Sequence, residues 1–156
     1  MAQLPPRTST SPVSLRDCRL ARAIDLIGDR WAMLILRSAL YGVRRFDDFQ
    51  QELGCPRTVL SGRLKMLETE GLLARRPYQV PGKRVRSEYV LSEKGVALQT
   101  ALVALNQWGD AWLAGGEPPP ITFTDSATKK NARVAFVSED GLEVPVERLR
   151  PRLRKG

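Results

Sequence analysis

Apolar residues recur at helical spacing from residue 18 to about residue 113 and then give way to short alternating patches. Residues 18–27 place Leu20, Ile24 and Ile27 on one face, the three-to-four spacing of an amphipathic helix, and Gly28 follows as a stop. Residues 31–41 are apolar nearly all round, which predicts a central buried helix closed by Gly42. Residues 46–53 carry Phe46, Phe49 and Leu53 on one face, and Gly54 ends a two-turn helix. Pro56 fits the first position of the next helix, where its missing N–H costs nothing. That helix runs to about Glu70, with Leu60, Leu64 and Leu67 inward and Gly71 as its stop.

The period then changes. Residues 72–78 and 87–91 read as two short strands, and the Pro81-Gly82 turn signal lies between them. This is a hairpin with a basic tip. Ser92 caps a long helix to about Leu113, whose apolar face includes Leu98, Ala101, Leu102, Leu105, Trp108 and Trp112. Helix, tight turn, helix and then a basic hairpin is the layout of a winged helix-turn-helix. The expected fold is mainly α with a small β hairpin, a long C-terminal helix and a small β-rich appendage. Four segments follow. Residues 1–15 are an arm expected to be disordered, and residues 16–114 form the winged helix-turn-helix domain. Residues 115–120 (GGEPPP) are a linker, and residues 121–156 are a basic appendage with β-like patches, too small to fold alone.

Composition narrows the function. The 156 residues hold 25 Lys+Arg against 17 Asp+Glu, a net charge of +8. The excess is local: residues 71–91 carry five positive charges and one negative, the footprint expected where a polyanion is met. The chain has no histidine, which removes Ser-His-Asp and Cys-His catalysis and the commonest metal ligand. Two cysteines, Cys18 and Cys55, are too few for a four-ligand zinc site or a disulfide scaffold. No metal and no cofactor is expected. No apolar run approaches the ~18 residues of a membrane span, and the first 15 residues lack the apolar stretch of a signal peptide. The reading is a cytoplasmic protein, at the nucleoid when bound to DNA, with no membrane partner.

Beside its three inward leucines, the helix of residues 56–70 carries Arg57, Thr58, Ser61, Gly62, Arg63 and Lys65. These are hydrogen-bonding or small residues, suited to base edges and phosphates in a major groove. An ordinary surface helix would look similar, and the hairpin that follows decides between the two. Its tip holds Lys83, Arg84 and Arg86, suited to the backbone or minor groove. The DNA-contacting candidates are therefore Arg57, Thr58, Ser61, Arg63, Lys65, Lys83, Arg84 and Arg86. Cys18 and Cys55 both stand at predicted helix starts, where exposed N–H groups favour thiolate, with Arg16, Arg19 and Arg57 nearby. Each is a candidate sensor; the plainer alternative is a small buried apolar group.

Taken jointly, the residues from Cys18 to about Trp112 resemble the HxlR-type family of bacterial transcriptional regulators, relatives of the MarR group. The resemblance is carried by Cys18, Leu26-Ile27-Gly28-Asp29-Arg30-Trp31, Leu34-Ile35-Leu36-Arg37, Arg45-Phe46, Phe49, Leu60-Ser61, Arg63-Leu64, Leu67-Glu68, Gly71-Leu72, Tyr89 and Leu91-Ser92-Glu93-Lys94-Gly95. One departure is Cys55-Pro56-Arg57, where the family usually has a Ser-Pro-Arg type opening. The resemblance implies a homodimer on double-stranded DNA, paired through the N-terminal helix and the long C-terminal helix. The interface candidates are Leu20, Ile24, Leu105, Trp108 and Trp112. Trp108 and Trp112, one turn apart, support this independently, because so small a domain has little spare interior for them; packing on their own domain or on the appendage is the alternative. The resemblance also implies that a cysteine at the Cys18 position can answer a small electrophile, an oxidant or another effector. It implies nothing for the segment after Trp112.

The reading that results is a DNA-binding transcriptional regulator, a repressor by expectation, and not an enzyme. Carboxylates are scattered, no Gly-rich phosphate loop occurs, and no nucleophile has a base beside it. A winged-helix protein-interaction module without sequence-specific DNA binding is the alternative, and the basic wing argues against it. RNA binding lacks the aromatic-studded strands that supply stacking platforms.

Overall fold

The structure, a computed structural model, describes residues 13–79, 81–82 and 84–152. Most of the expected N-terminal arm, and Lys83 at the wing tip, lie outside the described residues. Contacts divide the chain into two units, Arg19–Leu102 on one hand, and the described residues up to Cys18 with those from Val103 on the other.

In the first unit, α1 (Arg19–Ile27) leads into α2 (Arg30–Leu40), the central helix. Ala32, Ile35, Leu36, Ser38 and Ala39 of α2 are buried. Asp29 caps α2 and accepts from the Trp31 and Ala32 N–H groups, both at 3.1 Å. Buried Ser38 donates to Glu52 Oε1 at 2.9 Å, and Arg37 bonds the same carboxylate, so α3 (Phe46–Leu53) is tied to α2. Gly54 closes α3 in the left-handed region, at φ 60°, a conformation that glycine enters without a Cβ penalty. The next helix, α4 (Arg57–Thr69), buries Leu60, Leu64 and Leu67. Pro56 is its cap rather than its first helical residue.

The hairpin pairs β1 (Leu73–Tyr78) with β2 (Arg86–Leu91) in antiparallel register, from Leu73 opposite Leu91 to Tyr78 opposite Arg86. The Tyr89 N–H donates to the Arg44 carbonyl at 2.7 Å, which fastens the hairpin to the loop before α3. Leu60, Leu64, Leu67, Leu72, Leu73, Phe49 and Tyr89 join the α2 residues in one apolar core. The winged helix-turn-helix expected from the apolar pattern is thus present.

The long C-terminal helix is interrupted. It forms as α5 (Glu93–Ala97) and α6 (Gln99–Trp112), with Ser92 as the cap of α5, its Oγ accepting from the Gly95 N–H. At Leu98 the ladder tightens to i→i+3 bonds, Leu98 N–H to Gly95 and Ala101 N–H to Leu98. Gly95 is what pins α5. A Cβ there would lie 2.2 Å from the Leu72 carbonyl oxygen, so only glycine lets the two backbones meet.

In the second unit, the appendage is β-like in short pieces. Thr124 bridges Asn131, and β3 (Phe136–Val137) pairs with β4 (Glu143–Val144), followed by a 3-10 turn at Val146–Arg148. The Gln107 carboxamide of α6 accepts from the Val134 N–H at 2.9 Å and donates to the Ala132 carbonyl at 3.4 Å. None of residues 121–152 is fully buried.

Candidate nucleic-acid interface

The three buried leucines of α4 fix which residues it presents. Arg57, Thr58, Ser61 and Lys65 are exposed, and a groove of about 520 Å³ is lined by Phe46, Arg57, Thr58 and Ser61. A Cβ built at Gly62 meets nothing within 4 Å, so no contact among the described residues requires that glycine. Arg57 is held before any ligand arrives. Its guanidinium stacks over Phe46 at 4.7 Å and donates to Gln50 Oε1 at 2.7 Å, with Asp47 at 3.5 Å. The groove thus combines the Phe46 ring, two hydroxyls and one positioned cation.

Arg63 stands apart from that face. Its Nε and Nη2 grip the two oxygens of Asp29 at 2.7 and 3.1 Å, a bidentate pair that joins α4 to the cap of α2. The Arg63 bond and the capped amides hold the Asp29 carboxyl below its usual range, and Asp29 in turn raises the Arg63 pKa. The sequence placed Arg63 among the groove contacts because its charge and position on α4 fit. The structure engages it with Asp29, which the sequence singled out only within the run that carries the resemblance.

On the wing, Arg84 and Arg86 are exposed beyond the turn at Gly82, whose φ is +76°. Arg75 is committed within the fold, donating to Glu68 at 3.0 Å and lying 5.4 Å over the Tyr89 ring. Arg45, which sequence reasoning singled out only for the resemblance, lies 4.6 Å over Tyr78. It lines a cleft of about 190 Å³ together with Phe46, Asp47, Asp48, Tyr78, Arg86 and Ser87. No periodicity reveals such a residue, because the hairpin folds back to it across 33 positions of sequence.

The cysteines part company. Cys55 is 2% exposed beneath the start of α4. Burial pushes its thiol up, with the Asp29 carboxylate adding to the rise against a smaller opposing effect of Arg63. The lowered pKa expected at a helix start is therefore corrected for Cys55: desolvation of the thiolate outweighs the helix end. Cys18 stands half-buried just before α1, its N–H donating to the Ser14 carbonyl at 3.0 Å.

The interface candidates are exposed. On α1, Leu20 is 68% and Ile24 56% exposed. On α6, Leu105, Trp108 and Trp112 are all more than half exposed, Trp112 at 75%. Packing of the two tryptophans inside their own domain, part of the alternative left open above, is not what is seen. Among the described residues, no group of three His, Cys, Asp or Glu side chains could hold a metal ion, and no helix is long and apolar enough to cross a membrane.

Comparison with known proteins agrees with this layout. The profile of the HxlR-like helix-turn-helix family matches residues 26–117. An uncharacterized HTH-type transcriptional regulator of Mycobacterium bovis is 49% identical over 102 residues, 65% of this chain and 63% of that relative's length. The crystal structure of the transcription-factor candidate PA1607 superposes with a TM-score of 0.73 at 32% identity, covering 86% of this chain and 94% of the other. The oxidized form of the redox regulator HypR superposes at 0.54 with 28% identity, over 60% of this chain and 96% of its own.

Proposed function

Because the chain belongs to the HxlR-like helix-turn-helix family, we propose that it is a transcriptional regulator that binds double-stranded DNA as a homodimer, with α4 in the major groove and the β1–β2 wing on the backbone. The observation that carries the reading is the exposed face of α4. Arg57, Thr58 and Ser61 line a groove with Phe46, Lys65 is exposed on the same helix whose leucines 60, 64 and 67 are buried, and the wing adds Arg84 and Arg86. Lys83 belongs to the same proposed contact by its place in the sequence. Side chains of these types meet base edges and phosphates. The homodimer is proposed on the exposed Leu20 and Ile24 of α1 and Leu105, Trp108 and Trp112 of α6, apolar surface that a monomer would leave in water. Repression follows as the simplest output of a bound dimer.

Control by an oxidant or small electrophile is proposed at Cys18, since HypR is a redox regulator and Cys18 is the less buried thiol. Cys55 takes part only if the start of α4 opens first. The test of the reading is a gel shift of duplex against single-stranded DNA across a salt series. Preference for duplex, with affinity falling steeply as salt rises, supports it. Equal binding to both, or none to either, overturns it.

A further inference from the structure

The reading helix is braced on both flanks. At about 100° per residue, Arg57 and Arg63 lie about 60° to either side of the stripe Leu60, Leu64 and Leu67. The stripe seats α4 in the core and already limits its rotation. The two arginines add directional ties at its flanks. Arg57 is tied to α3 through Gln50 and Phe46, and Arg63 is tied to Asp29 by a two-pronged bond that a lysine could not reproduce. Asp29 does two things at once, since it also caps α2. It lies two residues after the end of α1, across Gly28, whose Cβ would meet the Ile24 carbonyl at 2.5 Å.

We propose that Arg63 is a positioning residue: with Asp29 it sets the rotation of α4. The inference rests on α4 being the DNA-reading helix. A reading face has to be held to within roughly 10–20° to meet its target, and Arg63 does so without touching the target. Buried Cys55, which feels the charges of both Asp29 and Arg63, marks how close the pair lies to the start of α4.

The test uses the full chain with Asp29→Ser, Arg63→Ala and the double variant. Serine keeps the cap of α2 but cannot reach Arg63 as aspartate does, so Asp29→Ser separates the brace from the cap. Affinity is measured on a duplex selected by the wild type and on a scrambled one. If the pair positions α4, each single variant loses at least about fivefold on the selected duplex, the lower end for a coupling between sites. The scrambled duplex is unaffected, and the double variant loses no more than either single one. Loss of stability alone would not separate the two duplexes. If Arg63→Ala weakens binding while Asp29→Ser leaves it unchanged or tighter, Arg63 touches the DNA itself and the proposal is overturned. If the wild type selects no duplex, the reading of α4 has failed instead, and amide exchange decides the brace without DNA. Faster exchange across residues 60–66 in Asp29→Ser supports it, and unchanged exchange overturns it.

Discussion

Asp29 ties α2 to α4 at the surface of the first unit. It accepts from two amides of α2 and from the Arg63 guanidinium, and its charge raises the Cys55 thiol. Its carboxyl is depressed in the folded state. A depressed acid contributes stability that is present above its unfolded pKa of about 3.9 and is lost as pH falls through the lower folded value. Urea midpoints of wild type and Asp29→Asn should therefore differ at neutral pH and converge as the pH drops below the ordinary aspartate range. A gap that stays constant into that range would contradict the assignment. Gly95 makes a second test. With the Leu72 carbonyl 2.2 Å from any added Cβ, Gly95→Ala must push α5 off the base of β1. The expected cost is about 1–3 kcal/mol, the range for overpacking, read as a lower urea midpoint at unchanged slope.

At the scale of elements, the two arginine-bearing surfaces separate by what they read. Arg84→Ala on the wing should weaken every duplex alike and reduce the salt slope by about 1, because it removes a phosphate contact. Arg57→Ala should cost about 1–3 kcal/mol in a sequence-dependent way if its guanidinium reaches a base edge. Anisotropy titrations across salt separate the two, and an Arg84→Ala variant with the wild-type slope would count against the wing contact. The elements themselves were legible because each carries a local signature: the Leu60, Leu64 and Leu67 stripe, the positive-φ glycines at 54 and 71, the Pro81-Gly82 turn. What was not legible depends on partners distant in sequence. The close approach of Gly95 joins it to Leu72, 23 positions earlier, the Arg63 contact comes from an aspartate 34 residues away, and the raised Cys55 thiol from burial that no local motif encodes. The appendage shows short β-like patches, and among its described residues the strands are two residues long.

For the molecule as a whole, the proposal of a dimer makes a simple demand on α6. Trp112 is 75% and Trp108 55% exposed in the single chain, and replacing either by alanine should move sedimentation toward the monomer, since buried tryptophans anchor interfaces. DNA affinity should fall with it, because a monomer forfeits one half-site. A wild type that sediments as a monomer at micromolar concentration would contradict the pairing. The central claim, that α4 and the wing read duplex DNA as a symmetric pair, is tested most directly by selecting bound duplexes from a random pool with the wild-type protein. The account predicts enrichment of one pseudo-palindrome whose half-sites lie about one helical turn apart, and the absence of any enriched sequence would contradict it.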